Sequence, residues 1–198
     1  MTLTEDRPAA SHSALARRAM IDSQLRTSGV NEPWVLAAIA GVAREDFVPE
    51  TSRAAAYIDR AIPLGNGRML AAPLVHARML MEAAPTAQDK VLLIGDGNGY
   101  LAALLRPLAG SLDAADPGAL PASGAWSLII IDGAAEHLPE SLSGLLADDG
   151  RVVTGLVDRG VTRIAIGRKS ASRLALMPVA DMGVPVLPEF AAPRRWSF

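Results

Sequence analysis

Cysteine is absent from the chain, which excludes disulfides, thiolate metal sites and a cysteine nucleophile. Aromatic residues are scarce at 4%, although 50% of the chain is hydrophobic, so the core has to be packed from Ala, Leu, Val and Ile. Neither sign of charge dominates. Nineteen Lys and Arg against 21 Asp and Glu leave a net −2, which gives no electrostatic footprint for nucleic acid or an anionic membrane. The three histidines (His12, His76, His137) lack metal-ligand spacing. No run approaches membrane-spanning length, and residues 1–12, with Glu5, Asp6 and Arg7, have no apolar signal-peptide core. The expectation is a cytoplasmic protein. A chain of 198 residues holds one domain, or one domain with a helical extension.

What is present is concentrated at residues 91–100, Val-Leu-Leu-Ile-Gly-Asp-Gly-Asn-Gly-Tyr. An apolar strand ends there in a glycine turn, and a helix is expected to start at Asn98. Gly95, Gly97 and Gly99 would let a ligand approach the backbone, and Asp96 and Asn98 stand between them. The pattern suits a nucleotide-like cofactor, or equally a tight turn without ligand. No Gly-Lys-Ser/Thr follows, which excludes a P-loop, and the spacing is not the G-x-G-x-x-G of dinucleotide enzymes. A ribose-binding carboxylate about 20 residues on would be Asp113 or Asp116. Asp116-Pro117-Gly118 is equally natural as a plain turn.

The chain divides into a tail (1–12), a helical and groove-forming region (13–84) and an α/β region (85–198) that together make one unit. Ser13 can cap a helix running to about Arg26, Asn31 can cap a second with Pro33 in its first turn, and Thr51 can start a short one. A turn-rich stretch at 62–68 leads to Pro73 and a helix reaching about Ala83. Strands are expected at 90–94, 110–115, 127–132 and 150–155, with helices at 98–106 and 138–146. Alternation of this kind makes a parallel sheet covered on both faces. The segments 161–167 and 173–180 read as an antiparallel pair of strands.

Several collinear segments resemble the protein-L-isoaspartate O-methyltransferase family. They are Met20-Ile-Asp-Ser-Gln-Leu-Arg26, Val42-Ala-Arg-Glu-Asp-Phe-Val-Pro49, Ala56-Tyr-Ile-Asp-Arg-Ala-Ile-Pro-Leu-Gly65, Val91–Tyr100, Trp126–Gly155 and Val186-Leu-Pro-Glu-Phe190. The resemblance implies a Rossmann-like class I methyltransferase sandwich with an N-terminal helical addition. It also implies S-adenosylmethionine as cofactor and methyl transfer to a protein carboxylate in protein repair. Gly95, Asp96, Gly97, Asn98, Gly99, Asp113 and Asp132 would then serve the cofactor. Tyr57, Arg68, Ala71, Pro73 and His76 would line the substrate groove, and an isoaspartyl protein or peptide would be the partner.

The chain departs from that pattern in four places. Met69 and Ala71 stand where the family has threonine and serine in a Gly-Gln-Thr-Ile-Ser-x-Pro stretch, and Arg68 either pairs with a carboxylate or stands solvated. Leu93 replaces an acid two residues before the first glycine, and Ala114 replaces the ribose-binding acid. Asp116–Ala125 is too short for the helix and strand that normally follow the second strand, so that strand becomes a sheet edge. The departures leave a second reading open, a non-catalytic relative that keeps the fold as a binding or homodimerisation module.

Overall fold

The computed structural model describes residues 9–170 and 173–192. Helix α1 (Ala9–Met20) runs on through a π-helical turn (Ile21–Leu25) and a 3-10 turn (Arg26–Ser28) to Gly29, whose φ of 86° ends the run. Helix α2 (Pro33–Gly41) follows, with proline in the first turn, where no N–H is required. Two 3-10 turns (Arg44–Phe47, Glu50–Ala55) lead to a hairpin of β1 (Ile62–Gly65) and β2 (Arg68–Leu70). Asn66 and Gly67, at φ 49° and 75°, supply the positive angles of a two-residue hairpin turn. Helix α3 (Pro73–Ala83) completes this part.

The rest alternates as expected: β3 (Lys90–Ile94), α4 (Tyr100–Leu105), β4 (Ser111–Ala115), β5 (Trp126–Ala135), α5 (Leu142–Leu145) and β6 (Leu146–Asp158). Strands β7 (Val161–Ser170) and β8 (Arg173–Asp181) then close the sheet. The order is β4-β3-β5-β6-β7-β8, with β4, β3, β5 and β6 mutually parallel and β7 and β8 antiparallel to their neighbours. Residues 116–125 contain neither helix nor strand, so β4 is the sheet edge among the described residues. The shortening expected between the second and fourth strands is therefore present.

Period-2 alternation assigns the two faces. Val91, Leu93, Leu128 and Ile130 point to one core with α2, α3, α4 and the N-terminal turns. Leu92, Ile94, Ile129 and Ile131 point to the other, closed by α5, Trp126, Leu187 and Phe190. Strands buried on both faces read as continuous apolar runs, which is why β3 and β5 were legible. The first core joins residues of the helical region and the sheet, so the two parts share one interior.

Several boundaries differ from expectation. Ser13 lies inside α1 and not at its start, and Glu32, not Asn31, occupies the N-cap of α2. The helix expected from Asn98 begins at Tyr100, because Asp96 turns the chain by accepting the Asn98 N–H at 2.8 Å. The 138–146 helix shrinks to α5, since Leu146 already pairs with Trp126 as the first residue of β6. The stretch 62–68 is a hairpin. Part of the expected tail, residues 9–12, is helical, while residues 1–8 and the Arg194–Phe198 ending lie outside the described residues.

At the amino ends of the strands Asp89 is buried in an ion pair with Arg151 (2.8 Å) and also accepts from Ser127 and the Thr86 N–H. Hydrogen bonding to Arg151 holds its carboxyl well below the usual carboxylate range, against the opposing effect of burial. A depressed folded-state value means this stabilisation is complete above pH ~4 and is lost as the pH falls further. Asp89→Asn should cost about 3 kcal/mol at neutral pH, because Arg151 keeps its charge beside a neutral group. Urea denaturation across pH 2–7 should show an acid limb that is smaller in the variant than in the wild type.

Candidate functional site

A cleft of about 770 Å³ opens at the carboxyl ends of β3, β4 and β5, a size typical of small-molecule sites. The β1–β2 hairpin, the Gly95–Tyr100 turn, Ala114–Pro117, Asp132 and the Pro185–Leu187 segment line it. Its lining carries four aspartates (Asp46, Asp96, Asp116, Asp132) against a single arginine, Arg68. The cleft therefore favours a ligand bearing positive charge.

Asp132 is aimed into this cleft by an irregularity in β5. Strand β5 pairs with β6 at Ile130↔Val153 and again at Ala134↔Gly155, so it holds extra residues around Asp132 and Gly133. A bulge of this kind re-aims a side chain and interrupts pairing. Beneath it lies a buried polar chain. The Arg44 guanidinium donates from Nε to the Ala56 carbonyl at 2.8 Å and from Nη2 to the Ala71 carbonyl. It also rests over the Tyr100 ring at 4.9 Å and meets His76 Nδ1 at 3.3 Å. Arginine can only donate, so Nδ1 accepts and Nε2 carries the proton. Nε2–H then donates to Asp132 Oδ1 at 3.0 Å. Among the described residues only His76 bonds this carboxylate, which leaves Oδ2 available to a ligand donor.

The glycine turn is held as tightly as its composition suggests. A Cβ at Gly95 would stand 2.9 Å from Asp132 Cβ, one at Gly97 2.8 Å from Ala114 Cβ, and one at Gly99 3.1 Å from Asp96. The glycines thus serve the packing of the turn as well as the lining of the cleft.

Of the expected site residues, Gly95, Asp96, Gly97, Asn98, Gly99, Asp132 and Arg68 line the cleft. Five do not. Asp113 lies outside it because the β3–β4 register is unbroken and Ala114 takes the cleft-facing position. It accepts from Trp126 Nε1 at 2.7 Å instead. His76 is fully buried below the cleft, and Ala71 and Pro73 are buried beside it. Tyr57 is a seam residue: it donates to Glu45, accepts from Arg17 Nε at 2.9 Å, and burial pushes its hydroxyl up to about 12. Arg68 is partly exposed and paired within the chain, to Glu189 at 2.9 Å and Asp116 at 3.5 Å. His137 is exposed and its backbone N–H bonds the Phe190 carbonyl, consistent with a simple lead into α5. Sequence reasoning passed over Arg44, Asp46 and Glu189, although Arg44 and Asp46 lie in the Val42–Pro49 match and Glu189 in the Val186–Phe190 match. Asp116 remained undecided between turn and site, and it is both: Oδ1 accepts the Gly118 N–H at 2.8 Å while the residue lines the cleft.

A mostly parallel sheet with a glycine turn and acidic side chains at its carboxyl edge, ending in antiparallel strands, defines a Rossmann-like methyltransferase fold. A family profile described as protein-L-isoaspartate(D-aspartate) O-methyltransferase matches residues 16–112. A protein-L-isoaspartate O-methyltransferase of Methanoregula boonei is 32% identical over 185 residues, covering 79% of this chain and 85% of that protein. A protein-L-isoaspartate O-methyltransferase 1 of Rhodopseudomonas palustris is 30% identical over 199 residues, covering 85% and 81%. The fold is similar to a Plasmodium falciparum crystal structure described under the same activity, in complex with S-adenosyl-L-homocysteine. That likeness has a TM-score of 0.69 at 16% identity and covers 87% of this chain and 98% of the other. The chain belongs to the protein-L-isoaspartate O-methyltransferase family.

Replacing His76 with Leu should lower stability by about 3 kcal/mol or more, because Arg44 stays buried after losing a partner. Urea unfolding should show a lower midpoint with an unchanged slope.

Proposed function

We propose that this chain is an S-adenosylmethionine-dependent protein-L-isoaspartate O-methyltransferase acting in protein repair. The observation that carries the reading is the acidic cleft built against the glycine turn, at the place where open α/β sheets collect ligands. Its relatives are named for this activity, and the non-catalytic alternative draws no support from them.

The residues present fit the cofactor. A ligand carrying an ammonium and a sulfonium is matched by Asp96 and Asp132 beside the turn. When bound, S-adenosylmethionine supplies a methyl group on a positively charged sulfur, open to attack by a carboxylate oxygen. The isoaspartyl carboxylate is ionised at neutral pH, so the chain needs no general base and its work is alignment and exclusion of water. The Arg44–His76 chain holds Asp132 in one orientation, so its charge is placed before the ligand arrives. Leu64, Met69 and Val186 give the cleft mouth an apolar rim for the acceptor peptide.

The acceptor is an isoaspartyl protein or peptide, and a second copy pairing along the β4 edge would cover the shortened flank. A cytoplasmic setting suits repair of this kind. No helix among the described residues is long and apolar enough to cross a membrane.

S-adenosylhomocysteine at 100 times its dissociation constant should stabilise the fold by about 2.7 kcal/mol. That corresponds to a rise in melting temperature of roughly 5–11 °C. Methyl incorporation into an isoaspartyl peptide, with none into its aspartyl twin, identifies the acceptor. Gly97→Val should abolish the thermal shift, because a side chain there meets Ala114 and displaces the turn. A wild-type protein that shows no shift at millimolar ligand overturns the reading.

A further inference from the structure

We infer that Arg68, held in place by Glu189, and Asp116 form the wall for the nucleoside end of the cofactor, in place of the helix and strand the chain lacks beyond β4. The inference rests on the reading above that S-adenosylmethionine occupies the cleft.

Three segments distant in sequence meet at the open flank. Arg68 comes from the hairpin, Asp116 from the turn leaving β4, and Glu189 from the 3-10 turn Pro188–Phe190. Arg68 holds Glu189 through Nη1 and Nη2, at 3.1 and 2.9 Å, and reaches Asp116 from Nη2 at 3.5 Å. Side chains of the C-terminal turn also pack against the two glycines: a Cβ on Gly67 would lie 3.6 Å from Pro188 Cγ, and one on Gly118 3.6 Å from Glu189 Cγ. Glu189 is brought there because the Ala134 N–H donates to the Pro185 carbonyl at 2.7 Å and the Leu187 N–H donates to the Ala134 carbonyl at 2.9 Å, docking the C-terminal segment on the end of β5. The cluster lies at the carboxyl end of β4, where a ligand extending from the Gly95 turn towards the sheet edge must pass.

The chemistry of the three groups suits a ribose and base. The Asp116 carboxylate can accept from a hydroxyl, and the planar Arg68 guanidinium, fixed by a two-point contact to Glu189, can face a flat ring. A forked contact is also pre-organised, so little side-chain freedom is lost when the ligand arrives.

The test compares S-adenosylhomocysteine with 5′-methylthioadenosine, which share the nucleoside and differ in the amino-acid end. Affinities are measured by calorimetry on the full chain and on Arg68→Gln, Glu189→Gln and the double variant. An exposed pair contributes little to stability, so all variants should melt close to the wild type without ligand. Each single variant should weaken both ligands by a common factor of roughly tenfold, and the double variant little further, since the two residues act as one unit. A loss restricted to S-adenosylhomocysteine, or a change below about twofold on both ligands, overturns the inference while leaving the activity reading intact. A wild-type protein that binds neither ligand removes the activity reading itself.

Discussion

The site depends on a single buried cation. Arg44 is completely enclosed, and burial lowers it from the ordinary arginine range, opposed by the Tyr100 ring beside it and by the charge of Asp132. Its donors bind two backbone carbonyls, Ala56 before the hairpin and Ala71 after it, so the segment carrying β1 and β2 is fixed at both ends by one side chain. Its remaining reach passes through His76 to Asp132. A charge in a low-dielectric interior has to be satisfied, and here satisfying it orients the carboxylate that faces the cleft. The helical region is therefore more than a cover for one face of the sheet. It carries the residue that ties the hairpin, α3 and the bulge of β5 into one geometry.

The shortened flank has consequences for the whole architecture. A parallel sheet normally continues past its second strand, and here β4 stands alone at the edge with residues 116–125 returning directly to β5. The cleft is instead bounded there by Asp116 and by Arg68 of the hairpin, which Glu189 of the C-terminal turn holds in place. That exchanges a wall of backbone for one of ion pairs, which are partly exposed and screened by salt. The second core is correspondingly thin: α5 spans only Leu142–Leu145, and Trp126, Leu187 and Phe190 complete what a longer helix would cover.

Legibility followed the range of the interactions involved. Strands β3 and β5 and helix α3 were readable because their signals are local: apolar runs between turns, and Pro73 at a helix start. The hairpin could have been recognised from Asn66-Gly67, a strong short-range signal, but the surrounding Pro63 and glycines read as loop. Spacing admits both Asp113 and Asp116, and Asp113 stands one position from the ribose-binding acid of the family, able to serve the cofactor only if the strand register differs or bulges. Register decides between them, because one residue along a strand reverses the face, and the unbroken β3–β4 ladder turns Asp113 towards Trp126.

By itself the sequence determined the family, the α/β alternation, the glycine turn and the absence of the segment beyond β4, because each of these is written in contiguous residues. Only the tertiary structure decided that Arg44 and His76 support Asp132, that Arg68 is held by Glu189, and that Asp116 and not Asp113 faces the cleft. The separations from Arg44 to His76, His76 to Asp132 and Arg68 to Glu189 are 32, 56 and 121 residues. No local pattern specifies which distant carboxylate will satisfy a given cation. Packing of the sheet and helices brings the candidates together, and the cost of leaving a buried charge unpaired selects among them.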